Sequence, residues 1–207
     1  MEAAIGAGAD MIGLVFHAAS PRFVNIGHAK ELSQIARGRI ETVALVVDAD
    51  DETLDEIVSR IEPDWLQLHG NETPRRVASI SKRFQKPIIK ARAVQTAEDV
   101  ASAMAFESVA EMMLFDAKAP DRATRPGGHG RPFDWTLLQR VAPDRPFMLS
   151  GGLNAGNIAE AIKTARPTAV DVSSGVETAP GEKSAELIDA FVAAARQAAL
   201  SPAMAIS

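Results

Sequence analysis

Short apolar runs recur along this chain with helical patterns between them, and that alternation limits the fold more than any other feature. The runs are Met11–Phe16, Thr42–Val47, Trp65–His69, Pro87–Ala93, Met112–Asp116, Phe147–Ser150 and Ala169–Ser173. Most are continuous rather than alternating, as in strands buried on both faces of a parallel sheet. Ile26–Arg37, Asp51–Ile61, Pro74–Phe84, Ala97–Ala105, Phe133–Val141, Ala155–Ala165 and Ser184–Ala199 repeat apolar residues at helical spacing. Asp50, Thr73, Thr96 and Asn154 stand where side-chain oxygens cap helix starts. No shift in composition marks a boundary, so residues 1–207 are expected to form one domain.

The beat counts seven strands, each followed by a helix, whereas a closed (β/α)8 barrel takes eight. Met1–Gly6 reads as the end of a helix leading into the first visible strand. The expectation is an α/β chain of the (β/α)8 TIM-barrel class, with seven βα units visible and the first strand absent from this chain. A gap would then separate Met11–Phe16 from Ala169–Ser173. An open, doubly wound sheet is the competing arrangement. The barrel is preferred because the last two strands end in small residues, Ser150-Gly151-Gly152 and Ser173-Ser174-Gly175. Backbone N–H groups at those two tips can converge on one anion, and barrels bind phosphate there.

Composition narrows the partners. Lys and Arg number 22 against 27 Asp and Glu, a net charge of −5 that argues against a nucleic-acid surface but leaves room for a local anion pocket. No apolar run approaches membrane-spanning length, and the N-terminus lacks the basic and apolar regions of a signal peptide. A cytoplasmic location is the default. The absence of cysteine excludes disulfides and thiolate metal sites. His17, His28, His69 and His129 show no ligand-pair spacing, so no metal is expected.

In a barrel the active face is the C-terminal end of the strands. Arg22 follows a stiff Ser-Pro turn and suits a carboxylate clamp, although a solvated loop arginine is the commoner case. His69 either orients a substrate or is a hydrogen-bonded core histidine. Asp116 ends an apolar strand, where a carboxylate is costly unless it is paired or at the mouth. It is either a general acid with a raised pKa, or a structural cap or a salt-bridge partner of Lys118. Asp171 points into the mouth or binds loop amides. The Gly-rich stretch Pro126–Trp135 is expected to be a lid, since long irregular segments are often functional.

These residues, in this order, resemble the phosphoribosylanthranilate isomerase family. The resemblance rests on Gly13-Leu14-Val15-Phe16 with Ser20-Pro21-Arg22, Gln67-Leu68-His69-Gly70, Leu114-Phe115-Asp116, Gly127-Gly128-His129-Gly130 leading to Phe133-Asp134-Trp135, Leu149-Ser150-Gly151-Gly152-Leu153, and Asp171 through Glu177. It implies a (β/α)8 barrel and an aldose–ketose isomerase of tryptophan biosynthesis. The reaction would be the Amadori rearrangement of N-(5-phosphoribosyl)anthranilate to 1-(2-carboxyphenylamino)-1-deoxyribulose 5-phosphate. No cofactor and no metal are implied, and the protein would be a monomer or homodimer. Asp116 would protonate the furanose ring oxygen, Arg22 would hold the anthranilate carboxylate, and His69 would line the substrate site. Asp171 would lie near the amine. Gly151, Gly152, Ser173, Ser174 and Gly175 would cradle the phosphate. The family's general base is a cysteine at the tip of the first strand, and this sequence has none. The 207-residue chain is therefore expected to be inactive. A competing reading of another class is a non-catalytic phosphate-binding relic. Indole-glycerol-phosphate synthase and pentose-phosphate epimerase fit less well: the lysine-plus-glutamate pair of the first and the metal ligands of the second are not seen.

Overall fold

The structure is a computed structural model that describes residues 1–118, 132–140 and 146–200. Helix α1 (Glu2–Ala7) leads into strand β1 (Met11–Val15). The later strands are β2 (Glu41–Val46), β3 (Trp65–Leu68), β4 (Ile88–Val94), β5 (Met112–Ala117), β6 (Phe147–Leu149) and β7 (Ala169–Val170). Between and after them run α2 (Ile26–Ala36), α3 (Asp51–Ile61), α4 (Pro74–Phe84), α5 (Ala97–Ala103), α6 (Ile158–Ala165) and α7 (Ala185–Leu200). All seven strands pair in chain order, and every pairing is parallel. One cavity is lined both by Val15 of β1 and by Asp171 just past β7, so the sheet curls as a barrel wall does. β1 and β7 are its two edges, and among the described residues no backbone pairing joins them.

Strand alternation sorts the core into two layers, because successive side chains point to opposite faces. Val43, Ile89, Ala91, Leu114 and Met148 form a small cluster inside the curl. Their strand neighbours Ala44, Ile88, Met113, Phe115, Phe147 and Leu149 join the larger cluster under the helices. Helix α3 shows how the outer layer is made. Asp50 accepts the Thr53 N–H at 2.9 Å as N-cap, and Leu54, Ile57 and Ile61 then bury one stripe completely. Each such aliphatic contributes about 1.5–3 kcal/mol of transfer free energy. Thr73 and Thr96 cap α4 and α5 in the same way.

Several boundaries differ from the sequence reading. Asn154 does not cap α6; its side chain accepts the Gly156 N–H in a local turn at 2.8 Å, and the helix starts after Asn157. The segment read as a helix over Phe133–Val141 is a 3-10 helix, Trp135–Arg140, whose start is held by Thr136 donating to Asp134 Oδ1. Val141 and residues 119–131, with most of the expected lid, lie outside the described residues. β7 stops at Val170 because Ser174–Val176 turns into a 3-10 helix. An unforeseen antiparallel hairpin follows, β8 (Glu177–Ala179) and β9 (Glu182–Lys183).

The open side between β1 and β7 is crossed by other means. Helices α1 and α7 pack against each other. Arg196 of α7 donates to the Gly8 carbonyl at 3.0 Å and to both oxygens of Asp10 at 2.8 and 2.7 Å. No helix among the described residues is long and apolar enough to cross a membrane.

Candidate active site

The period-2 rule also decides which polar residues reach the mouth. Asp116 lies two positions beyond Leu114 and so shares its inner face. Gln67 and His69 continue the inner face of β3 beyond Trp65, and Asp171 lies two positions beyond Ala169. All four line one open cavity of about 700 Å³ at the C-terminal ends of the strands. Val15, His17, Ser20, Arg22, Leu45, Val47, Ser150, Gly151, Gly152, Leu153, Val172, Ser173 and Ser174 complete the lining. Arg22, His69, Asp116, Asp171, Gly151, Gly152, Ser173 and Ser174 are thus brought together. Gly175 is not among the lining residues: it packs behind them, where an added Cβ would collide with the Leu153 carbonyl.

Asp116 is the electrostatic centre. It is 4% exposed, and its Oδ1 accepts the Ala117 N–H at 2.8 Å. Burial, reinforced by the Asp171 carboxylate, pushes its pKa up to about 7. His69 Nε2 stands 3.5 Å from Asp116 Oδ2, but this is no ion pair. Burial, with the Lys90 charge nearby, holds the imidazole down at about 4, so between those two values both groups are neutral. Gln67 Nε2, an amide donor, lies 3.4 Å from His69 Nδ1; with that nitrogen accepting, the ring proton sits on Nε2 and faces Asp116. Asp171 accepts the Ser150 hydroxyl at 2.8 Å, and burial raises its pKa also. Among the described residues no ion pair joins Asp116 to Lys118; the groups facing it are the Ala117 amide and His69.

The two small-residue tips lie beside the acid, on the strands that follow β5. Gly151 and Gly152 adopt φ of +88° and +66°, a region that side chains resist. At Gly151 a Cβ would strike the Ala117 amide and lie 2.9 Å from Asp116 Oδ1, so this glycine lets the β6 tip pass directly over the acid. Ser173 is fixed from outside: Lys183 Nζ donates to its carbonyl at 2.8 Å and to its hydroxyl at 3.3 Å. Across the open side of the sheet, Arg22 donates through Nε and Nη2 to the two oxygens of Glu177, both at 2.7 Å.

Sequence reasoning gave no individual role to His17, Gln67 or Ser150, which also line the cavity, and it missed Glu177 as a partner of Arg22. That Gln67 and Ser150 point inward was legible, because each lies an even number of positions from an inner-face residue of its own strand. Glu177 carried no signal beyond its place at the end of the Ser-Ser-Gly tip. Among the described residues, no group of three or more His, Cys, Asp or Glu side chains converges as metal ligands do.

Residues 1–194 match the family model described as N-(5'-phosphoribosyl)anthranilate (PRA) isomerase. The N-(5'-phosphoribosyl)anthranilate isomerase of Rhodopseudomonas palustris strain BisA53 is 54% identical over 195 residues, which is 94% of this chain and 89% of that one. The crystal structure of phosphoribosyl anthranilate isomerase from Thermotoga maritima superposes with a TM-score of 0.85 at 34% identity, covering 95% of this chain and 92% of that one. A crystal structure of such an isomerase in complex with reduced 1-(o-carboxyphenylamino)-1-deoxyribulose 5-phosphate gives a TM-score of 0.83 at 30% identity, with 95% and 92% covered.

Proposed function

The chain belongs to the phosphoribosylanthranilate isomerase family of tryptophan biosynthesis, and on that premise we propose that its cavity binds N-(5-phosphoribosyl)anthranilate with Asp116 as the general acid of the Amadori rearrangement. The observation that carries this reading is a carboxyl group at the cavity wall whose pKa is raised to about 7. A group poised near neutrality is protonated often enough to give up a proton and basic enough to take it back. Asp116 protonates the furanose ring oxygen. The ring C–O bond breaks as the anthranilate nitrogen pushes its lone pair toward C1′, leaving an open-chain protonated imine. Loss of the C2′ proton then gives the enol, which tautomerises to the ketose. His69, neutral and with its Nε2–H toward Asp116, steers the carboxyl toward the ring oxygen without holding it ionised.

Binding divides between two ends of the cavity. The backbone at Gly151, Gly152, Ser173 and Ser174 takes the phosphate, with Gly175 supporting the tip from behind. Arg22 takes the anthranilate carboxylate. Glu177 occupies the Nε/Nη2 edge of its guanidinium, which leaves the end-on edge with Nη1 for the ligand. Asp171, on the cavity floor beside Ser150, lies near the amine. The solved relative named for its complex with the reduced product supports this division, since that molecule carries both a carboxyl and a phosphate.

The resemblance assigns the removal of the C2′ proton to a cysteine, and none of these 207 residues is cysteine. The 207-residue chain alone is therefore slow. A missing general base costs about two to four orders of magnitude. The test is a steady-state assay on freshly made phosphoribosylanthranilate, coupled to the following synthase. Turnover is expected to be low for the 207-residue chain and to rise when a strand ending in Cys-Gly is supplied ahead of residue 1. In that active form, Asp116→Asn abolishes turnover and leaves affinity for the reduced product analogue nearly unchanged. Near-normal turnover by the 207-residue chain would overturn the assignment of the base.

A further inference from the structure

Glu177 has an unusual situation for a residue outside the cavity lining. It sits on β8, next to the phosphate-side tip in sequence, yet its carboxylate reaches across the open side of the sheet to the loop after β1. Its side chain is 3% exposed. Oε2 meets Arg22 Nη2 at 2.7 Å, and Oε1 meets both Arg22 Nε at 2.7 Å and Lys183 Nζ at 2.8 Å. Burial works against its charge, but hydrogen bonds from Arg22 and Lys183 prevail and bring its pKa down to about 2. The charge is thus permanent at working pH. The same Lys183 ammonium grips Ser173 through both its carbonyl and its hydroxyl. Backbone contact adds a second tie between hairpin and loop. Gly181 turns the hairpin at φ +90°, and a Cβ there would come within 2.7 Å of the Pro21 carbonyl.

From this geometry we infer that Glu177 is a positioning residue for substrate selection: it fixes the Arg22 guanidinium so that one edge only faces the ligand, and through Lys183 it couples that edge to the Ser173 tip. An arginine on a loop has many rotamers, and a two-point carboxylate grip removes most of them before the ligand arrives. The ligand class this sets is a phosphorylated molecule that carries a carboxylate at the far end. The inference rests on Arg22 holding that carboxylate, and its test separates the two claims.

The 207-residue chain is titrated by calorimetry with two probes: reduced 1-(o-carboxyphenylamino)-1-deoxyribulose 5-phosphate, and the same molecule lacking the ring carboxyl. Glu177→Gln keeps the shape and removes the charge. It is expected to weaken the carboxylated probe at least tenfold and the decarboxylated probe less than twofold. Arg22→Ala is expected to show the same selectivity, and the double variant to lose no more than the stronger single one. A purely structural role would weaken both probes alike, and that result overturns the inference. Selective loss in Arg22→Ala with none in Glu177→Gln overturns it while sparing the Arg22 assignment. Equal loss of both probes in Arg22→Ala removes the assignment and the inference together. If Glu177→Gln does not fold, Glu177→Asp carries the same test, because the shortened arm cannot reach both guanidinium nitrogens: selectivity lost sustains the inference, and selectivity retained overturns it.

Discussion

Two carboxylates sink into this fold near the C-terminal ends of β3 and β5, one strand apart in the sheet, and they meet opposite fates. Glu72 lies in the helix-facing layer with Lys90, which is 0% exposed. The Lys90 ammonium donates to Glu72 Oε2 at 2.7 Å, the Gly70 carbonyl at 2.9 Å and the Leu68 carbonyl at 3.1 Å, so its three protons have three acceptors. Glu72 in turn accepts the Asp48 and Gly70 amides. Asp116, on the inner face, receives one amide and no cation within hydrogen-bonding reach, and its pKa rises to about 7. A buried acid matched to a cation becomes a fixed part of the frame. One left without a cation stays movable between two protonation states, and that is the property proton transfer needs.

Breaking the matched pair gives the largest effect. Glu72→Ala strands the Lys90 charge in the interior and is expected to cost about 3–5 kcal/mol. At about 2–4 °C per kcal/mol for a chain of this size, thermal unfolding would shift down by roughly ten degrees. Glu72→Leu with Lys90→Met should recover most of that loss, because an apolar pair needs no partner. A cost under about 1 kcal/mol for Glu72→Ala would show that the pair is not holding the frame.

Asp116→Asn sharpens the other half of the comparison, with the opposite sign. The folded pKa is raised from 3.8 to about 7, so the folded chain holds this proton more tightly than the unfolded one. The stability from that proton is fully present below about pH 3.8 and is lost as pH rises through about 7. Asn cannot ionise. The variant should therefore be more stable than the parent at pH 8, by on the order of 4 kcal/mol at about 1.36 kcal/mol per pKa unit, and should nearly match it at pH 4. Parallel melting curves at both pH values would remove the claim of a raised pKa.

Gly152→Val tests the cavity's anion side. Affinity for the reduced, phosphorylated product analogue should fall by more than tenfold, about 1.4 kcal/mol, while the same molecule without its phosphate loses less than twofold by calorimetry. Similar losses for both would place the phosphate elsewhere. The smallest effect is a baseline from the surface. The Arg60–Glu56 pair bridges one turn of α3 at 3.0 Å with both side chains about half exposed. Arg60→Ala should cost only about 0.3–0.5 kcal/mol in urea unfolding.

The sequence revealed what depends on local periodicity. Continuous apolar runs marked the seven parallel strands, and the caps Asp50, Thr73 and Thr96 stood where they were expected. Asp116, His69 and Asp171 stood out as polar residues at the ends of apolar strands, and the structure puts all three on the cavity wall, although the pattern alone left a structural use open for each. What stayed hidden depends on pairs far apart in the chain. Arg22 and Glu177 are 155 positions apart, and neither residue type alone announces the other. The hairpin Glu177–Lys183 was hidden because Thr178-Ala179-Pro180-Gly181 has too little apolar content to read as strand. Asn154 misled because asparagine serves a local turn as readily as a helix cap.

A sheet closed into a ring has its curvature set by its own hydrogen bonds. The sheet seen here, with β1 and β7 as edges, is an arc, and nothing in an arc's backbone ladder fixes how far its ends stand apart. That distance falls to side chains: Arg196 with Asp10 toward one end of the strands, and Arg22 with Glu177 and Lys183 toward the other. A ligand spanning from the Arg22 loop to the Ser173 tip would therefore bear on the same side-chain ties that hold those two segments at their spacing.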